Sequence, residues 1–123
     1  MEKFSKYSNV HVDYTIWIKD ENGADIIGDD KFLMLKTIRE EGSLKTAAEK
    51  LHISYRKAWG DLKTCEDLLG FPLLEKQRGG ADGGRTLLTD EGIRFITLYE
   101  SMHDEFQIAV TEIIKRFKKN LKG

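Results

Sequence analysis

The run SYRKAWGDLK, from Ser54 to Lys63, brings hydrogen-bond donors, cations and aromatic rings together over a short distance. At helical spacing Tyr55, Arg56, Trp59, Gly60 and Lys63 share one face, with Lys57 at its margin. Arg and Lys donate to phosphates and to guanine edges, while Tyr and Trp pack on sugars and thymine methyls. Such a face is equipped for a polyanion with readable edges. The plainer reading is a solvated face with ordinary charges, and these residues alone leave both open.

A second basic group lies at QRGGADGGR, where Gly79, Gly80, Gly83 and Gly84 form a tip flanked by Arg78 and Arg85. Cations beside a flexible tip suit contact with a sugar-phosphate backbone. A solvated hairpin loop without contacts is the alternative. A phosphate-binding loop fits less well: Gly79, Gly84, Arg85 and Thr86 follow G-x-x-x-x-G-K-[ST] with Arg in place of Lys, and Leu87-Leu88 intervene before any helix can begin. Nothing catalytic is legible. His11, His52 and His103 are scattered, none at ligand spacing from Cys65 or from another His, so neither a metal nor a cofactor is expected, and the chain does not read as an enzyme.

The elements that must position these residues follow from caps and periodicity. Ser43 is a good N-cap, Gly42 ends the helix before it, and Ala47, Ala48 and Leu51 form one face, small enough for a second helix to approach closely. The chain breaks at His52-Ile53. Ser54 then caps a second helix whose inner stripe is Ala58, Leu62, Cys65 and Leu69, with Gly70 as the stop. Two short helices joined by a tight turn are a helix-turn-helix, which favours the recognition reading of the polar face. Ser54, Tyr55, Arg56, Lys57, Trp59 and Lys63 would face a major groove, and Ser43, Lys45 and Thr46 would touch backbone beside it.

Ahead of this unit, Val12, Tyr14, Ile16 and Ile18 alternate with polar residues and Trp17, which predicts a half-buried strand. Asn22-Gly23 is a hairpin turn, and Ala24 to Ile27 the returning strand. Trp17, on the opposite face from the four apolar residues, is expected to cover a helix. Gly28-Asp29-Asp30 opens an acid-capped helix that carries Phe32, Leu33, Leu35 and Ile38 and runs to about Glu41. After Phe71-Pro72, Leu73-Leu74 enters a short strand toward Arg78, with Leu87-Leu88 as its partner. Thr89 caps a final helix whose stripe runs Ile93, Ile96, Tyr99, Met102, Phe106, Ala109, Ile113 and Phe117, with Phe95, Leu98, Ile108, Val110 and Ile114 as a second flank.

That helix would be roughly 45 Å long, too long for a core this small to cover. Residues 93–117 are therefore expected to pair with a second copy, the alternative being a kinked helix folded back on its own domain. Its basic tail, Lys115, Arg116, Lys118, Lys119 and Lys122, reads as a solvated helix end, with backbone contact as the lesser reading.

A chain of 123 residues with one proline is one domain. It divides into a loose leader over 1–9, a helix-turn-helix domain with its hairpin and wing over 10–88, and a dimerisation helix over 89–123. The formal net charge of −1 does not announce a nucleic-acid binder, but its distribution is uneven. Acids outnumber bases eight to four from Asp13 to Glu41, whereas bases lead eight to six from Ser43 to Leu88. The basic surface is local and weak, so dimerisation is expected to be needed for binding. Cys65, the one cysteine, rules out an intrachain disulfide and reads as a small buried hydrophobe rather than a redox sensor. With a polar N-terminus and no apolar run of spanning length, the protein is expected in the cytoplasm and not in a membrane.

EEGSLKTAAEKLHIS, SYRKAW, LLGFPLLEKQRGG and LLTDEG together resemble the N-terminal domain of ModE-type molybdate-responsive transcription regulators and, more distantly, the LysR-type DNA-binding domain. The resemblance covers Tyr14 to about Tyr99. It implies a mostly α fold with small β: a winged helix-turn-helix with an N-terminal β-hairpin and a long C-terminal dimerisation helix. Double-stranded DNA is the implied partner and a homodimer the implied assembly. In that family a C-terminal domain binds molybdate. The sequence stops at Gly123, so that domain is expected to be absent. The rival reading is a winged-helix module that binds another protein and not DNA.

Overall fold

The computed structural model describes residue 7 and residues 9–78 and 85–123. Strands β1 (Ile18–Lys19) and β2 (Asp25–Ile27) come first, then helices α1 (Asp29–Glu41), α2 (Leu44–Lys50) and α3 (Tyr55–Leu69). Strands β3 (Leu74–Gln77) and β4 (Arg85–Leu88) and the helix α4 (Asp90–Leu121) complete the chain. β1 pairs with β2 and β3 with β4, each antiparallel, in two separate sheets. The architecture is a winged helix-turn-helix continued by a long C-terminal helix. Most of the leader over 1–9 and the glycine tip at 79–84 lie outside the described residues.

Residue type sets the helix ends. Ser43, Ser54 and Thr89 each accept from a first-turn amide, those of Thr46, Lys57 and Gly92 respectively. Gly42 and Gly70 close α1 and α3 in the left-handed region, at φ 81° and 85°. Between α2 and α3 the chain turns through His52 at φ 57°. There the Ile53 amide donates to the Ala48 carbonyl at 2.9 Å, which holds the turn shut.

One core serves every element. Ile27, Leu35, Ile38, Leu44, Leu62, Leu73 and Ile96 are all at most 1% exposed, and Ala47, Ala48 and Ala58 are buried with them. Cys65 joins this core: its Sγ donates to the Ile26 carbonyl at 3.2 Å, and burial pushes its thiol pKa up, as befits an inert thiol. At the back, Arg39 holds Glu100 of α4 at 2.9 Å and Lys36 approaches it at 3.6 Å. The Arg39 hydrogen bond is the main reason that the Glu100 pKa lies below the ordinary carboxylate range.

Three expectations need correction. The strand predicted from Val12 is only Ile18–Lys19, and Val12 and Tyr14 are exposed. Its partner offers just Asp25–Ile27, so the residues before Ile18 have no ladder to join, although Ile16 still packs on the core. α1 is not acid-capped: Gly28 is the N-cap with no side-chain hydrogen bond, and Asp29 and Asp30 lie within the first turn, where they complement the helix dipole. Leu33 is half exposed and Met34 is buried in its stead, because the inner face of α1 passes through Met34, Leu35 and Ile38. The long final helix is as expected: α4 is one uninterrupted helix of 32 residues. It buries only Gly92, Ile96 and Tyr99, all in its first third. Trp17 does cover helix: its ring lies over Gly28 at the start of α1 and lines a cleft with Thr64, Cys65 and Leu68 of α3.

The junction of wing and α4 admits no side chain at Gly92. A β-carbon there would stand 2.9 Å from the Leu73 carbonyl oxygen and 3.1 Å from Thr89 Oγ1, and the first of these is backbone that cannot rotate away. Gly92→Ala is therefore expected to destabilise the domain by about 2 kcal/mol, the scale of overpacking in a tight interior. A lowered urea midpoint with unchanged m-value is the measurement.

Candidate nucleic-acid interface

With Ala58, Leu62 and Cys65 turned into the core, the opposite face of α3 is left to solvent. Tyr55 is 43% and Trp59 40% exposed, large fractions for aromatic rings on a helix whose inner side is sealed. Arg56 is exposed and has no hydrogen bond or ion pair among the described residues. Lys57 is exposed but paired with Asp61 at 3.0 Å, one helical turn on. Lys63 sits 5.4 Å from the Trp59 ring centroid and 3.2 Å from Glu66, a cation held between an aromatic face and a carboxylate.

The other sequence-predicted residues fall into two groups. Lys45 and Thr46 are exposed on the first turn of α2. Ser43 is buried, and its hydroxyl is occupied by the cap, accepting from the Thr46 amide and donating to Thr46 Oγ1. Ser54 is exposed, but its oxygen accepts from the Lys57 amide. On the wing, Arg78 and Arg85 are exposed at facing strand ends, where Arg85 pairs in register with Gln77 and its Nε donates to Gln77 Oε1 at 3.4 Å. Because Thr86 is a buried strand residue and not the start of a helix, the phosphate-loop reading of Gly79 to Thr86 fails. Among the described residues no group of His, Cys, Asp or Glu gathers to hold a metal ion.

Two residues the sequence reading passed over hold the site together. Glu66 sends its carboxylate to the amides of Leu73 and Leu74, both at 2.8 Å, and so fixes the base of the wing to α3. Thr86 meets Tyr55, hydroxyl to hydroxyl, at 2.9 Å. Neither partner is near in sequence, and no local pattern distinguishes Glu66 from a solvated helix acid.

A helix-turn-helix with an outward polar face, flanked by a wing with Arg85 opening β4 and Arg78 just past β3, is the architecture of the winged helix-turn-helix class. Residues 30–93, just over half of the chain, match the bacterial regulatory helix-turn-helix protein, lysR family, and the chain belongs to that family. It is 33% identical over 97 residues to the molybdenum transport protein ModE of Azotobacter vinelandii, covering 79% of this chain and 36% of that protein. It is 39% identical over 67 residues to the transcriptional regulator ModE of Haemophilus influenzae, and 37% identical over 67 residues to the DNA-binding transcriptional dual regulator ModE of Escherichia coli. Each of these two matches covers 54% of this chain and 26% of the relative. The chain thus spans about a quarter to just over a third of the length of these relatives. No helix among the described residues is long and apolar enough to cross a membrane.

Glu66 generates a pH prediction. Burial alone would raise its pKa, but the hydrogen bonds from Leu74, Leu73 and Lys63 together bring it below the ordinary value. Ionised Glu66 thus contributes stability that is complete above the ordinary glutamate range and is lost as pH falls through the lowered pKa. Glu66→Gln is expected to be less stable than the unmodified protein near neutral pH, by about 1–3 kcal/mol. Chemical denaturation across an acid series should find this gap narrowing below the ordinary glutamate range.

Proposed function

We propose that this chain is a sequence-specific, double-stranded-DNA-binding transcription regulator that acts in the cytoplasm as a homodimer. The observation that carries the reading is the outer face of α3, where Arg56 stands exposed and unpaired beside Trp59 and Lys63 while the same helix seals the core behind it. In this reading Arg56 donates two hydrogen bonds to a guanine edge, Tyr55, Lys57, Trp59 and Lys63 line the groove with it, and Ser54 stands at its mouth. Lys45 and Thr46 approach one backbone strand from the turn that Ser43 caps, and Arg78 and Arg85 approach another.

The homodimer reading is supported by α4. Beyond Met102 none of its apolar side chains packs on the core formed by the described residues: Ile108 is 70% exposed, and Phe106, Ile113 and Phe117 are about half exposed. Charge is segregated along the same helix. Asp90, Glu91, Glu100, Asp104 and Glu105 stand against Arg94 in its first half, and Lys115, Arg116, Lys118 and Lys119 stand against Glu112 in its second. Two copies packed antiparallel along residues 93–117 would cover the apolar stripe and lay each basic half beside an acidic one.

Mobility shift with random duplex at low salt, followed by selection of bound sites, tests the reading against a winged-helix module that binds only protein, which shifts no duplex. Arg56→Ala leaves the fold intact, since the site is solvent-facing. It is expected to cost about 1–3 kcal/mol on the selected site and much less on unrelated duplex, so that preference relaxes at one position per half-site. An equal loss on every sequence would make Arg56 a phosphate contact. Phe106→Asp places a charge in the α4 seam and is expected to sediment as a monomer at concentrations where the unmodified protein is a dimer. A monomeric unmodified protein would remove the dimer from the reading.

A further inference from the structure

The wing is held to the recognition helix at two heights. At its base, Glu66 binds the Leu73 and Leu74 amides, and Thr89 adds a hydrogen bond from its amide to the Leu73 carbonyl and one from its hydroxyl to the Pro72 carbonyl. Farther out, Tyr55 and Thr86 meet at 2.9 Å. Tyr55 is the first residue of α3 and immediately precedes Arg56; Thr86 follows Arg85 on β4 and pairs across the hairpin with Lys76. The contact therefore joins the neighbour of the candidate base reader to the neighbour of a candidate wing cation. Thr86 is 6% exposed, so its hydroxyl has little access to water in place of Tyr55. The Tyr55 ring is open to solvent at its side, but its one polar atom is already used within the protein.

A two-stranded hairpin of four-residue strands is marginal by itself, and although Leu74 and Leu88 seat its base in the core, its outer half needs contacts of its own to hold its position. We propose that the Tyr55–Thr86 hydroxyl pair is that brace: it sets the distance between the end of the recognition helix and the wing, so that groove and backbone contacts form on one duplex together. Tyr55 is then a positioning residue and not a base reader. Its contribution to affinity comes from holding the wing cations in place before DNA arrives, which lowers the ordering cost of binding. This rests on the DNA-binding reading above.

The test uses the full chain with Tyr55→Phe, Thr86→Val, both together, and Thr86→Ser, which keeps the hydroxyl. In the free protein, the amides of Lys76 and Thr86 should exchange faster in both single variants and the double, with α1 amides unchanged, and Thr86→Ser should restore slow exchange. On DNA, each single variant should lose roughly 3- to 10-fold in affinity, by the same factor on selected and unrelated duplex. The double variant should lose no more than either single one, because both remove the same bond. The salt dependence should flatten toward that of an Arg78→Ala, Arg85→Ala protein, since wing phosphate contacts are what is lost. If Tyr55→Phe weakens binding while Thr86→Val does not, the Tyr55 hydroxyl contacts DNA directly and the brace is overturned. Unchanged exchange and affinity in both variants would overturn it as well. If the unmodified protein shifts no duplex, the DNA-binding reading itself fails and the proposal falls with it, an outcome recognised without any substitution.

Discussion

One shared apolar core is the constraint on which everything else in this protein depends. The largest fully buried side chains come from along the whole chain: Ile27 from the hairpin, Leu35 and Ile38 from α1, Leu44 from α2, Leu62 and Cys65 from α3, Leu73 ahead of the wing and Ile96 from α4. A domain this small has no second core to fall back on. Because Leu62 and Ala58 must face inward, Arg56, Trp59 and Lys63 are turned outward. The outer face of α3 is thus what remains after burial has been satisfied, and Arg56, Trp59 and Lys63 on it can vary without disturbing the core.

The polar interactions divide the labour differently. Helix caps at Ser43, Ser54 and Thr89 are local and fix where helices begin. Glu66, Thr89 and Tyr55 act over longer separations and fix where the wing stands relative to α3. A carboxylate that satisfies two backbone amides in a half-buried junction is worth more than the surface pairs Lys19–Asp25 or Lys57–Asp61, whose partners are open to water and salt. Arg39 and Lys36 on Glu100 play the corresponding part at the back, where they set the direction in which α4 leaves the domain.

That direction matters because α4 is two things in sequence. Its first third is a core helix, with Ile96 and Tyr99 buried and Phe32 against Tyr99 at 4.8 Å. The remainder projects with its apolar stripe uncovered and its charges sorted by sign. Continuity between the two parts means that whatever covers the stripe is held in a fixed direction from the core.

Much of this was legible in the residues alone, for physical reasons that are local. The caps, the Gly42 and Gly70 stops, the break at His52-Ile53, the Ala58–Leu62–Cys65 stripe and the pairing of the strand at Leu74 with the one at Leu87-Leu88 follow from hydrogen-bond valence, backbone freedom and periodicity within a few residues. What depended on distant partners was not legible. The strand from Val12 needs a ladder partner that a three-residue β2 does not supply, and burial of Met34 in place of Leu33 depends on what lies against α1. The bonds of Glu66 to Leu73 and Leu74 and of Tyr55 to Thr86 had no local signal, since each forms only once the wing has folded back against α3. Local chemistry determined the elements and the outward face; only the tertiary structure decided which polar groups on that face remain free for a ligand and which are already committed to holding the wing.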